Sequence, residues 1–176
     1  MRNHIRAIGL FAVVNCVLAF AQERPVVPEN LQAPAGERVI LHAHATGVQI
    51  YVCQAEAGQE ATWVLKAPEA ELTDAIGKKI AHHSAGPSWT HSDGSVVTGK
   101  VLAKQDAPKP GAIPWLLLTA ASHKGDGFMA RVTTIQRIYT DGGLPPKVSD
   151  CDVAANAKES RSAYSADYYF YAPAQK

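Results

Sequence analysis

The side chains that could do chemistry fall into three groups, and histidine comes first. His42 and His44 stand two apart in a stretch that alternates in polarity, and His82, His83, His91 and His123 follow later in the chain. On a strand, residues i and i+2 share a face, so His42 and His44 present two imidazoles together, one way a sheet protein offers a pair of metal ligands. His82 and His83 face opposite sides of a strand, so one of them could join His91; the metal candidates are therefore His42, His44, His82 and His91. No Asp or Glu stands at a matching spacing beside the first pair. The plainer reading is that His42 and His44 sit on the solvated face of a hairpin.

The second group surrounds Gly86-Pro87-Ser88-Trp89 and Asp93-Gly94-Ser95. Trp89 with His91 and Asp93 would combine a stacking surface with hydrogen-bonding groups, which suits a sugar or a small aromatic ligand, and Trp63 is a second candidate platform. Against this, Asp-Gly is explained by turn geometry alone and Trp89 by a core. The third possibility is acid or nucleophilic catalysis by Asp93, Asp126, Asp141 or Asp167 with a nearby His and Ser. No G-x-S-x-G elbow is present, and most Ser and Asp residues fall in turn-like segments. Arg137 and Asp167 lie within apolar or aromatic strands, where a buried ion pair between them would be structural at least as readily as functional.

These side chains must be held by a chain of 176 residues with 17 Lys plus Arg against 16 Asp plus Glu, 47% hydrophobic and 19% charged. Such a chain makes one globular domain with a real core. A net charge of +1 without a basic run argues against nucleic acid as a partner and against a polybasic membrane patch. Residues 1–21 read as a secretory signal: Arg2 and Arg6, then an apolar run over 7–20, then Ala19-Phe20-Ala21 as the cleavage site, leaving Gln22 first. The apolar run falls short of the ~20 residues of a membrane anchor. Lipidation would use Cys16, but Val13-Val14-Asn15 lacks the small residue expected before it. The expected location is periplasmic or extracellular, with no transmembrane segment after cleavage.

The exported chain then keeps two cysteines, Cys53 and Cys151. One disulfide is the natural reading in an oxidising compartment, with free thiols or metal ligation as alternatives. Closing a loop of about a hundred residues would stabilise the fold by roughly 4–5 kcal/mol on the chain-entropy model.

Residues 22–37, with Pro25, Pro28 and Pro34, read as an extended leader packed on the domain formed by 38–176. Alternation over 38–45 and 48–54 around Thr46-Gly47 predicts a hairpin, and 62–66 a short third strand. Pro68 followed by acidic residues and closed by Gly77 predicts at most two turns of helix. Asp93-Gly94 predicts a two-residue hairpin turn that pairs His91 with Val96 and Trp89 with Thr98. The apolar run 115–121 reads as the most buried strand, most of 128–140 as a long one, 152–162 as a loop, and 164–170 as a half-buried last strand. About eight strands with Gly and Pro punctuation predict an all-β fold, an antiparallel β-sandwich or closed barrel with at most one short helix.

Five stretches together resemble one family of secreted bacterial and fungal proteins, catalogued as domain of unknown function three-four-five-five. They are Gly47-Val48-Gln49-Ile50-Tyr51-Val52-Cys53, Gly86-Pro87-Ser88-Trp89 with Asp93-Gly94-Ser95, Ile113-Pro114-Trp115-Leu116-Leu117-Leu118, Ile135-Gln136-Arg137 with Thr140-Asp141-Gly142-Gly143, and Tyr164-Ser165-Ala166-Asp167-Tyr168-Tyr169-Phe170. The resemblance implies no activity. Some relatives carry a malate dehydrogenase label, yet the chain has no G-x-G-x-x-G and no alternating β/α pattern, so a nicotinamide cofactor is rejected. The expectation is a non-catalytic module binding an unknown small or extracellular ligand, without a cofactor beyond a possible metal ion. A metal-assisted or acid-base hydrolase is the alternative, and a structural envelope or matrix component the third reading.

Overall fold

The computed structural model describes residues 22–56, 58 and 60–174; the signal reading for 1–21 lies outside the described residues. Eight strands follow one another: β1 (Glu37–Gln54), β2 (Thr62–Thr73), β3 (Lys79–Ser84), β4 (Ser88–His91), β5 (Val96–Gln105), β6 (Trp115–Lys124), β7 (Thr134–Gly142) and β8 (Glu159–Pro173). Each is antiparallel to the next, and β8 returns to β1 along nearly its whole length, from Glu37↔Pro173 to Val52↔Glu159. The sheet closes into a barrel, which leaves no edge strand among the described residues. The sandwich alternative is thereby set aside.

Eight strands enclose a lumen that side chains can fill. Here large residues interleave with small ones, often on the same strand. Trp89, Tyr168, Phe170, Leu72 and Leu118 pack against Ala43, Ala45, Ala70 and Ala166, and Met129 joins them from the short 3₁₀ turn Phe128–Arg131. The Trp89 ring meets Tyr168 and Phe170 edge-on, at centroid distances of 5.6 and 6.0 Å. Within β8, Tyr164, Ala166, Tyr168 and Phe170 turn inward while Ser165, Asp167 and Tyr169 turn outward, following the period-2 pattern of the sequence.

A second apolar layer lies outside the barrel. Leu31, in the 3₁₀ turn Glu29–Leu31, packs fully buried against Trp115, Leu117 and Ile138. Ala33 packs on Val39 and Tyr171. Gln136 donates to the Leu31 carbonyl at 2.6 Å and accepts from the Tyr171 hydroxyl at 2.5 Å. Burying Leu31 alone is worth roughly 1.5–3 kcal/mol. The run Trp115-Leu116-Leu117-Leu118 is apolar on both faces because Leu118 fills the lumen while Trp115 and Leu117 lie beneath residues 27–31.

Four local expectations are corrected. Residues 37–54 form one bent strand, not a hairpin at Thr46-Gly47. Gly47 stands there because β2 crosses so closely that a Cβ would lie 2.1 Å from the Glu69 carbonyl oxygen and 2.5 Å from Ala70 Cα. Residues 68–77 hold no helix: β2 runs through Pro68 to Thr73, paired with β1 along its length, so long-range ladder bonds override the local helix-start signal. The β4–β5 turn has three residues, 92–94, inside the backbone pair His91–Ser95 (His91 N–H to the Ser95 carbonyl, 2.9 Å), with Gly94 at φ 86° and its N–H bonded to the His91 carbonyl at 2.9 Å. Trp89 therefore faces Val97, and Thr90 faces Val96, one step from the two-residue register and on the other face. Within 152–162, expected as a loop, β8 already begins at Glu159.

Candidate functional site

The ligand-binding candidates from the sequence separate in space. Trp89 is 1% exposed inside the lumen, so it is no surface platform. His83 lies flat against it and donates from Nδ1 to the Ser88 carbonyl at 2.8 Å; burial lowers the His83 pKa to about 3. Asp93 instead clasps the turn onto the segment after β6. Its Oδ1 accepts from Ser95 N–H (2.9 Å) and the Ser95 hydroxyl (2.5 Å), and its Oδ2 accepts from Phe128 N–H (2.7 Å). The Ser95 hydroxyl and these backbone N–H groups hold its carboxyl well below the usual carboxylate range. His91 stands 3.1 Å from the same carboxylate and stacks on Phe128. Trp63 sits elsewhere, donating to the Lys147 carbonyl at 3.1 Å beside the Cys53–Cys151 pair. The two sulfurs are 2.06 Å apart, and the disulfide joins the end of β1 to the connection before β8.

The histidines also divide. His42 and His44 do share the outer face of β1, and the carboxylate that the local sequence lacked arrives from the last strand. Asp167 Oδ2 is 3.1 Å from His42 Nε2, and Oδ1 is 2.7 Å from His44 Nδ1. The register His44↔Asp167 brings it there, and Tyr169 stacks on His42 at 4.3 Å. His82 pairs with Glu71 at 3.1 Å, away from His91 and Asp93. His123 faces the Val132 carbonyl at 2.7 Å. Among the described residues, no three His, Cys, Asp or Glu side chains are arranged to hold a metal ion. Arg137 and Asp167, weighed in the sequence as a conceivable buried pair, do not meet: Arg137 stands opposite Tyr168 in the ladder, and Asp167 opposite Ile138, so the two side chains leave the sheet on opposite faces.

The sequence reading passed over a depression at one end of the barrel. It has a volume of about 490 Å³ and is lined by Trp115, Tyr139, Thr140, Asp141 and Ser165 with Pro108 and Lys109. Trp115 and Tyr139 meet edge to face, centroids 5.2 Å apart and planes at 81°. Tyr139 adopts φ 49°, a left-handed conformation costly for an aromatic residue, where the β7–β8 register slips between Ile138 and Asp141. This slip leaves Tyr139 half-exposed on the outside. The Trp115 indole N–H is buried without a hydrogen-bond partner. Lys109 and Asp141 pair at 2.6 Å on the rim. Two hydrogen bonds join residue 113 to the end of β7: Ile113 N–H donates to the Gly142 carbonyl at 2.9 Å, and the Thr140 side-chain hydroxyl donates to the Ile113 carbonyl at 2.5 Å.

This depression is where Ile113-Pro114-Trp115 meets Thr140-Asp141-Gly142-Gly143, two of the stretches that carry the family resemblance. A family model described as protein of unknown function, DUF3455, matches residues 34–172. The chain belongs to the DUF3455 family. No curated protein and no solved structure matches it.

In this DUF3455 chain the corner offers the half-exposed Tyr139 ring, the small exposed part of Trp115 beneath it and a charged rim. Those groups can bind a ring by stacking and orient its polar edge. The signal in the sequence was the pairing of a lone Tyr with the Asp-Gly-Gly that ends its strand. Nothing local reveals the left-handed Tyr139, because the register slip depends on β8.

Proposed function

We propose that this DUF3455 protein is an exported, non-catalytic binding module that seats a compact hydroxylated ring, a pyranose or a phenol, in the Trp115–Tyr139 depression. The observation that supports it best is Tyr139, whose unfavourable backbone conformation aims a half-exposed aromatic ring at right angles to Trp115. Strain of this kind persists where surrounding structure imposes it and is concentrated at ligand sites. Among the described residues, no helix is long and apolar enough to cross a membrane. That fact and the disulfide fit export, and N-terminal sequencing beginning at Gln22 would support it.

The test is a titration of the isotope-labelled protein with hexoses and with hydroxybenzoates, following the indole N–H resonances. The expected result is that the Trp115 signal moves at millimolar ligand while that of Trp89 stays fixed, and that Tyr139→Ala weakens binding about tenfold, as loss of one stacked ring should. No movement of the Trp115 signal with either class overturns the reading.

A second reading, a metal-assisted or acid-base hydrolase, is favoured by the arrival of Asp167 between His42 and His44. It requires these side chains to rearrange around a metal. Elemental analysis of the purified protein, repeated after His42→Ala with His44→Ala, decides it: stoichiometric zinc, copper or iron lost in the double variant supports this reading, and a metal-free wild-type protein removes its metal-assisted form.

A further inference from the structure

The lumen changes character toward the end where Ile113 and Pro114 cross. Arg137 enters it from β7, opposite Tyr168 of β8, and one guanidinium nitrogen, Nη2, donates to the Pro114 carbonyl at 2.9 Å. Among the described residues no carboxylate lies within ion-pair distance of Arg137; Asp141, Asp167, Glu69 and Glu159 all pair elsewhere. Its charge acts instead on the phenols of Tyr51, Tyr164 and Tyr168.

Around this cation the hydrogen bonding is incomplete in one particular sense. The hydroxyls of Tyr164 and Tyr168 face each other, and that of Tyr168 also faces Arg137, yet neither they nor Arg137 Nε and Gln49 Nε2 complete a well-formed hydrogen bond. Gln49, Tyr164 and Tyr168 are 1%, 4% and 1% exposed. Tyr51 is already committed, donating to the Gly143 carbonyl at 2.7 Å. Gln49 and Tyr164 flank that same Gly143, where a Cβ would lie 3.3 Å from Gln49 Cγ and 2.9 Å from Tyr164 Cβ. The strands concerned, β7, β8 and β1, are consecutive around the barrel. Burial raises the pKa of the Tyr164 and Tyr168 phenols, which keeps them neutral O–H donors.

All the atoms left without a well-formed bond can donate, and two of them, on Arg137 and Gln49, can do nothing else. A buried cation with surplus donors calls for acceptors and a negative charge. A water supplies at most two acceptor positions and no charge. A carboxylate supplies about four positions and the charge together, and its two oxygens suit guanidinium and phenol donors at once. We infer that this end of the barrel holds a small carboxylate of formate or acetate size between Arg137, Tyr164, Tyr168 and Gln49. A surface depression of about 350 Å³ lined by Gly47, Asp141, Gly142 and Tyr164 lies outside this end of the barrel, at the β7–β8 register slip. This site is distinct from the Trp115–Tyr139 corner and does not depend on it.

The test uses the purified full-length exported protein in a bulky sulfonate buffer. Small anions released on acid denaturation are measured by ion chromatography, and thermal unfolding is followed against formate, acetate and chloride at constant ionic strength. The expected result is about one carboxylate per chain as purified, or a Tm that climbs with formate or acetate and not with chloride. Arg137→Gln should abolish that dependence. Should Arg137→Gln fail to fold, Tyr164→Phe and Tyr168→Phe each remove a single hydroxyl and should weaken the formate response about tenfold. A protein that carries no carboxylate and whose Tm ignores formate and acetate overturns the inference in favour of buried water. A response to chloride alone overturns the carboxylate assignment, and a formate response unchanged in both Phe variants overturns the location.

Discussion

His83 lies flat on Trp89 inside the barrel, ring centroids 4.5 Å apart and planes within 5°. The imidazole is 2% exposed, and burial has lowered its pKa from 6.5 to about 3. A proton on it would leave a charge in an apolar lumen that already contains Arg137.

The pH dependence of stability follows from that depression. Between pH 3 and 6.5 the unfolded chain binds a proton at His83 that the folded chain does not. This contribution is therefore complete above about pH 6.5 and declines as the pH falls, by up to about 1.4 kcal/mol per pH unit. Urea unfolding of wild type and His83→Gln at pH 7 and pH 5 should show the variant losing less on acidification; equal losses would contradict it.

Gly47 is a second point of tight fit. Because an added Cβ would run into the Glu69 carbonyl and Ala70 backbone, Gly47→Ala should cost at least about 2 kcal/mol, since backbone cannot move aside as a side-chain end can. Gly36→Ala, where nothing lies within 4 Å of the added carbon, is the matched control. Chemical unfolding of the two variants compares them directly.

Cys53 and Cys151 close 98 residues of chain. Reduction should lower stability by roughly 4–5 kcal/mol. Without reductant, neither cysteine should take up an alkylating reagent, as mass spectrometry of the intact protein would show.

Asp93 is read as a clasp, and Asp93→Ala tests that reading. Losing the acceptor for Phe128 and Ser95 should speed amide exchange at those two residues, with exchange in β7 and β8 unchanged. If ligand binding were lost while exchange at Phe128 and Ser95 stayed slow, the clasp would be secondary to a binding role.

Some of this protein could be read directly from its sequence, because the information is local. The alternation of Tyr164, Ala166, Tyr168 and Phe170 with Ser165, Asp167 and Tyr169 assigns the faces of β8, since a strand has a period of two whatever it pairs with. The density of turn residues pointed to an antiparallel all-β fold, and Cys53 and Cys151, the two cysteines beyond residue 21, pointed to one bridge. The candidate site was far less legible. Trp89 beside Asp93-Gly94 could be read as a platform or as a core residue, and only burial in the closed barrel decides for the core; the extra loop residue, invisible in composition, places Val97 in place of Thr98 opposite it.

The barrel itself was decided by tertiary structure. Closure depends on β1 meeting β8, partners such as His44 and Asp167 that lie more than a hundred residues apart in the chain and carry no local sign of each other. Other ladders act likewise: the β1–β2 pairing makes Gly47 a crossing point in place of a turn and carries β2 through a helix-start signal, and the β7–β8 pairing produces the slip at Tyr139. The sequence by itself determined which residues alternate and where the chain can turn, because those follow from backbone geometry. Only the closed sheet decided which faces meet, and so which side chains share a site.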